Sequence, residues 1–225
     1  MRRIRMWGLL AVFLLAASAP AAADVVSIDE TNFPDAAFLN HVKTNWDSDH
    51  DGTLSEGEIA AVDSAYVHSK GIRSLKGIEL FTKLEELRCS GNQLTSLDVS
   101  KNKKLMGLGC YNNQLTSLDV SRNTELVSLD CFNNLLTSLG MSKNKKLVEL
   151  DCRANQLTSL DVSKNKKLER LDCYRNKLTS LDVSQNTALV ELDCSYNQLT
   201  SLDVSKNEEL VALDCSSNQL TALDV

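Results

Sequence analysis

Residues 84–104 read LEELRCSGNQLTSLDVSKNKK, and this 21-residue unit returns from Leu105, Leu126, Leu147, Leu168 and Leu189 without insertion or deletion. A seventh copy opens at Leu210 and runs to Val225, five residues short of a full period. A fixed short period describes a solenoid, in which each unit buries its apolar face only against its neighbours. The unit, L-x-x-L-x-C-x-x-N-x-L-T-S-L-D-V-S-x-N-x-x, is itself doubled. Leu84-x-x-Leu87-x-Cys89-x-x-Asn92 is followed by Leu94-x-x-Leu97-x-Val99-x-x-Asn102. In each half the last two apolar residues are two apart, so a short strand points both inward, and the chain then turns at an asparagine.

This pattern resembles the leucine-rich repeat, L-x-x-L-x-L-x-x-N-x-L, with Cys in the third apolar slot, over residues 84–225. The nesting is similar to the 21-residue bacterial class of that family. The resemblance implies an α+β protein: a solenoid of short parallel strands on two faces, no long convex helices, modest curvature, and a small helical cap. Residues 67–83 keep the apolar spacing at Ile72, Leu75, Ile78 and Phe81 without the full motif. They resemble the degenerate junction rungs of internalin-type proteins. With no Pro/Ser/Gly linker, cap and array are expected to form one rigid body.

Two asparagine columns follow from the period, at 92, 113, 134, 155, 176, 197 and 218, and at 102, 123, 144, 165, 186 and 207. A turn that enters the core leaves backbone donors and acceptors unmatched, and an amide side chain carries both kinds of partner. Both columns are assigned to structure, each Asn bonding its own turn and the adjacent rung. All seven cysteines share one slot: 89, 110, 131, 152, 173, 194 and 215. The spacing is not that of a zinc site, and no His lies in the repeats to complete one. In-register side chains point the same way, which strains a disulfide dihedral, so a buried column of small hydrophobes is preferred to bridges or a catalytic thiol.

The first 23 residues have the form of a secretory signal: Arg2, Arg3 and Arg5 precede an apolar run, and Ala21, Ala22 and Ala23 suit cleavage. The remainder carries 30 acidic and 21 basic residues, and the imbalance sits in 24–70, with 10 acidic against 2 basic. That argues against a nucleic-acid partner and for a cation.

Within 24–66, the residues from Asp47 to Glu58 contain D-x-D-x-D-G-x-L-x-x-x-E, which resembles the twelve-residue calcium loop of the EF-hand family. By that resemblance Asp47, Asp49 and Asp51 supply carboxylate oxygens to Ca2+, Thr53 its backbone carbonyl, Ser55 a direct or water-mediated contact, and Glu58 a bidentate carboxylate. Gly52 permits the sharp turn. Pro34 suits the first turn of a preceding helix, with Phe38, Val42 and Trp46 along one face. Ser55-x-x-Glu58 is a capping box opening a second helix. Glu58 cannot fully serve both cap and metal, and is assigned to the metal. EF-hands generally pair, and only one loop is present; the apolar stripe is expected to cover the open first rung of the solenoid.

Outward positions divide. The second half of the repeat is nearly constant, whereas variation gathers on and just after the first strand. Tyr111, Phe132, Arg153 and Tyr174 occupy one outward column, and Arg175 and Tyr196 the next. Aromatics flanked by arginine form a surface that anchors a protein or glycan. The aspartates at 98, 119, 161, 182, 203 and 224 line one face, and those at 130, 151, 172, 193 and 214 the other; KNKK turns make a solvated basic edge. These features point to a secreted or cell-surface, calcium-binding bacterial recognition protein without catalytic activity and without a membrane span once the signal is removed. The alternative is a rigid surface spacer belonging to a longer chain, favoured by the stop at Val225 with no terminal cap or anchor. His41, His50 and His68 have no recognisable catalytic partner.

Overall fold

The computed structural model describes residues 25–224, so the signal segment expected at 1–23 lies outside them. The chain opens with β1 (Val26–Ser27), α1 (Ala36–Asn45), β2 (Thr53–Leu54) and α2 (Glu56–Ala61). β1 pairs antiparallel with β2, Val26 opposite Leu54, so the single loop finds its strand partner in the segment that precedes it. Asp35 starts α1, its Oδ1 accepting the amides of Ala37 and Phe38 at 3.0 Å each. Pro34 therefore stands just before the cap rather than in the first turn. Phe38 and Val42 are fully buried, with Trp46 partly so at the helix end.

The repeats build one parallel sheet. Its strands are β3 (Ser64–Tyr66), β4 (Glu86–Arg88), β5 (Gly107–Gly109), β6 (Ser128–Asp130), β7 (Glu149–Asp151), β8 (Arg170–Asp172), β9 (Glu191–Asp193) and, after β10 (Ser201–Asp203), β11 (Ala212–Asp214). The central leucines 87, 108, 129, 150, 171, 192 and 213 stand in strict register. Strand alternation turns them into the core with the cysteine two residues on, and turns the residues on either side outward.

The expected second ladder is the main correction. Among the described residues, the second half of the repeat pairs as strands only at β10 with β12 (Ala222–Asp224), plus one bridge between Gly140 and Asp161. Elsewhere the backbone joins successive rungs only at the entry to this half, where Gln114 N donates to Leu94 O at 2.9 Å; beyond it the bonds close within the rung, as when Asn123 N donates to Val120 O at 3.0 Å and Leu126 N to Asn123 O at 3.2 Å. Rungs are tied on this side by asparagine side chains instead. The amide of Asn123 donates to Val99 O and Asn102 O of the preceding rung, both at 2.9 Å. None of the second-column asparagines bonds its own turn in the way expected, and the Oδ1 of all six from Asn102 to Asn207 is buried without a partner.

The junction also starts earlier than its apolar spacing announced. β3 pairs parallel with β4, Ala65 opposite Leu87, inside the interval assigned to the cap. Val62, Ala65, Val67, Ile72 and Leu75 are buried in the slots of a first rung. Asn92 completes it, accepting from Lys70 N and Ile72 N at 3.1 and 3.0 Å and donating to Val67 O at 2.8 Å. The cap closes over this rung. Trp46 lies 4.4 Å from Phe81 between ring centroids, and Phe33 and Phe38 continue the aromatic contact. Asp35, having capped α1 with one oxygen, accepts Arg73 N at 2.7 Å with the other. Gly77 (φ +104°) lies directly under the Phe33 ring, where any Cβ would strike it.

Candidate functional site

Two places gather polar chemistry. The first is the loop between α1 and α2. Oxygens of Asp47, Asp49 and Glu58 lie within 4.8 Å of one another. Asp47 is buried; its Oδ2 accepts Gly52 N at 3.1 Å, while its Oδ1 has no hydrogen-bond partner. A carboxylate oxygen removed from water without a donor is costly, and a cation relieves it. Asp51 stands outside the three-residue cluster, its Oδ1 accepting both Thr53 N and Thr53 Oγ1 at 2.7 Å. Ser55 and Glu58 close the capping box reciprocally. Glu58, assigned above to the metal rather than the cap, thus serves the cap here: its Oε2 accepts Ser55 N at 2.9 Å, and its Oε1 accepts Ser48 N at 2.6 Å. These bonds, Ser55's backbone first, pull its carboxyl down to about 2, so it is charged at neutral pH. Three of the six expected ligands converge; Asp51 and Ser55 are bonded locally. An all-oxygen acidic set with an orphaned buried oxygen fits a hard cation of the calcium type.

The second place is the outer surface of the parallel sheet, where a groove of about 790 Å³ is lined from Arg88 to Asp214. Its floor is the column Asp130, Asp151, Asp172, Asp193 and Asp214. Burial pushes Asp130 up to about 6. Burial and then the charge of Asp172 push Asp151 up to about 7, and burial raises Asp172 in the same direction. The lining holds seven carboxylates against two guanidinium groups. Beside it Tyr111 and Phe132 stack with centroids 4.4 Å apart and planes 7° from parallel. Arg153 continues the stack, its guanidinium carbon 4.3 Å from the Phe132 centroid. Tyr174 meets Tyr196 edge-on at 5.3 Å. Tyr111, Phe132, Arg153 and Tyr174 are half-buried, and Arg175 and Tyr196 are exposed, so the expected column does face outward on one side.

The cysteine column is unbridged and buried to Cys194, with Cys215 partly covered. Burial pushes the Cys89 and Cys194 thiols up to about 12, which suits packing and not nucleophilic attack. No helix among the described residues is long and apolar enough to cross a membrane.

Sequence reasoning missed two things. The residue after the aromatic column is left-handed in every repeat: Gly91, Asn112, Asn133, Ala154, Arg175, Tyr196 and Ser217 have φ between +50° and +65°. Only the first three, a glycine and two asparagines, announce it. The ion pairing of Arg153 inside the aspartate column was also unseen, although its place between Phe132 and Tyr174 was the available signal.

No protein-family model matches the chain. It is similar to Internalin J of Listeria monocytogenes, 43% identical over 70 residues, which is 31% of this chain and 8% of that protein. Among solved structures it resembles the functional domain of InlJ from Listeria monocytogenes, described as including a cysteine ladder. That match has a TM-score of 0.75 and 39% identity, covering 91% of this chain and 50% of the other. Internalin C2 of the same species superposes with a TM-score of 0.79 at 20% identity over 91% of this chain and 92% of its own, a likeness of fold. A leucine-rich-repeat protein of Leptospira interrogans gives 0.61 at 26% identity, covering 74% and 47%. The chain spans about half the length of the InlJ domain and a small fraction of the curated relative.

Proposed function

We propose that this internalin-like leucine-rich-repeat solenoid is a secreted recognition module, with the outer face of its parallel sheet meeting a protein partner and its N-terminal loop binding calcium. The observation that carries the first part is the stacked column Tyr111, Phe132 and Arg153 along the edge of an acidic groove. Half-buried aromatics and arginine beside a groove are the residue types that dominate protein interfaces. The likeness to internalins supports the same reading. The test is an array of extracellular proteins probed with the full chain and with Tyr111→Ala/Phe132→Ala. Loss of binding by the variant, with circular dichroism and melting nearly unchanged, is the expected result. If no protein binds, the rigid spacer replaces the recognition module.

For calcium, Asp47, Asp49 and Glu58 would hold the ion, with Asp51, Thr53 and Ser55 as further oxygen donors after small rotations. The ion would supply positive charge to the orphaned Asp47 oxygen and lock the two helices. Trp46, which follows α1 directly and packs on Phe81, ties that geometry to the first rung. Extracellular sites of this kind bind at Kd on the order of 10⁻⁴–10⁻³ M. Stabilisation at millimolar calcium is then on the order of 1 kcal/mol by mass action. Terbium luminescence excited through Trp46 reads occupancy directly. Both that signal and the calcium-dependent rise in melting temperature should vanish in Asp47→Asn. Equal melting with calcium and with chelator would remove calcium from the account.

A further inference from the structure

Arg153 shows what the aspartate column can hold. Its side chain sits between two rungs, one nitrogen 3.5 Å from Asp151 Oδ2 and another 3.0 Å from Asp172 Oδ2, with its face on Phe132. In both carboxylates Oδ1 is spent on a backbone amide two residues on, Arg153 N for Asp151 and Tyr174 N for Asp172. The same sequence positions recur two rungs later, with Tyr174 edge-on to Tyr196 instead of stacked and with Ser195 buried beneath. Asp193 and Asp214 stand where Asp151 and Asp172 stand, and Tyr174 stands where Phe132 does. Their Oδ1 atoms are likewise spent, on Ser195 N and Ser216 N at 2.9 Å each. The residue in the place of Arg153 is Ser195, whose hydroxyl folds onto Asp193. No Lys or Arg among the described residues pairs with Asp193 or Asp214; Arg153 pairs with Asp151 and Asp172, and Arg170 with Glu149 and Glu191.

We propose that Asp193 and Asp214, beside Tyr174, receive an arginine side chain of the protein partner in the way Asp151, Asp172 and Phe132 receive Arg153. This rests on the recognition reading above and names the chemistry that the partner presents. A planar guanidinium with forked donors bridges two stacked carboxylates while its face lies on an aromatic ring. An ammonium is a compact point charge without that planar face, and a bare metal ion would use the carboxylates but not the tyrosine. Polypeptide is favoured as the carrier because Tyr111, Phe132 and Arg153, stacked beside the same groove, are residue types that dominate protein interfaces. The excess of carboxylates over guanidinium groups in the groove supplies the complementary charge.

The test uses the full chain and three probes, acetyl-Gly-Arg-Gly-amide with its lysine and citrulline analogues, followed by amide chemical shifts of residues 190–217. The arginine peptide should bind at least about fivefold more tightly than the lysine peptide, and the citrulline peptide not measurably. Asp193→Asn/Asp214→Asn should weaken arginine binding roughly tenfold. Asp161→Asn/Asp182→Asn, an equal charge change in the second-half column, should leave it unchanged. Ser195→Arg should fill the place from within and abolish binding. Equal affinity for arginine and lysine, equal loss in both double variants, displacement by millimolar calcium, or undiminished binding to Ser195→Arg would each overturn the assignment. A protein partner that needs Tyr111 and Phe132 but is indifferent to Asp193→Asn/Asp214→Asn would sink this inference and leave the recognition reading standing.

Discussion

The two halves of each repeat carry nearly the same inward residues and solve the same problem differently. In the first half the asparagine at the turn is fully used. Asn134 accepts Leu115 N at 3.0 Å and donates to Cys110 O and Cys131 O at 3.1 and 3.0 Å, so one side chain serves two rungs in both directions. A backbone ladder runs beside it. In the second half, Asn144 only donates, to Val120 O and Asn123 O, and its carbonyl oxygen is buried unpaired. Those two carbonyls already accept within their own turn, from Asn123 N and Leu126 N. The difference teaches that an asparagine column is not one device. One column supplies the acceptor that a buried backbone amide would otherwise lack; the other ties rungs through carbonyls that already have a partner and leaves its own acceptor unmet.

The sharpest way to break this contrast is to truncate one asparagine from each column. Asn134→Ala strands Leu115 N without its acceptor inside the core and should cost on the order of 2–4 kcal/mol in denaturant unfolding. Asn144→Ala removes an orphaned oxygen along with two shared bonds, and should cost about 1 kcal/mol or less. Equal losses would mean that the unpaired oxygens carry no penalty.

The outward aspartates extend the contrast to pH. In the middle of the first-half column the carboxyls are raised by burial, Asp130 to about 6 and Asp151 to about 7, whereas Asp214 at its end is lowered by the hydrogen bond from Ser216 N. Second-half carboxyls at 98, 119, 161, 182 and 203 are lowered by hydrogen bonds from the serine two residues on. A carboxyl raised on folding makes the fold bind more protons than the unfolded chain. Its effect is to lower stability as pH rises from about 4 to about 7. Asp151→Asn should therefore raise the melting temperature at about pH 8, with the gain shrinking as pH falls below about 7 and gone only below about pH 4. Asp161→Asn should do the reverse, lowering it at neutral pH, with the difference lost as pH falls through the lowered carboxyl. Matching pH profiles for the two variants would show that the columns share one environment.

The smallest effect tests what the halves share. The inward slot filled by Cys152 in the first half is filled by Val162 in the second, and both are fully buried. Cys152→Val exchanges small side chains of similar volume and should change stability by under about 1 kcal/mol. The full chain, unfolded without reductant, should offer close to seven reactive thiols, and the native chain very few.

The array was legible because a 21-residue period and an apolar spacing of two are properties of sequence, and burial follows them residue by residue. Phe38, Val42 and Trp46 were likewise legible as the stripe that covers the first rung, since a helix brings positions four apart to one face. The second ladder was overcalled because Leu97-x-Val99 has the same spacing as Leu87-x-Cys89. Nothing in that spacing says whether backbone or side-chain amide joins the rungs. In the calcium loop the carboxylate spacing and the claim of Ser55 on Glu58 were legible, but not the claim of Ser48, ten residues away, which depends on where its amide and hydroxyl fall in space. The role of Arg153 was hidden for the same reason: its carboxylate partners lie on two successive rungs, and only stacking makes them neighbours.

Every asparagine side chain in both columns reaches back toward the preceding rung, and none reaches forward. The solenoid is thus a polymer with two unlike faces of growth. A turn is finished by the unit that follows it, much as a keystone is set after the stones it locks. For a chain that leaves the ribosome or a translocation pore with its N-terminus first, each new unit seals the one before. At any moment a single incomplete turn is exposed at the advancing end. Unravelling from that end would reopen one turn at a time, whereas the cap side, tied through Asp35, Trp46 and Asn92, offers no comparable loose stitch.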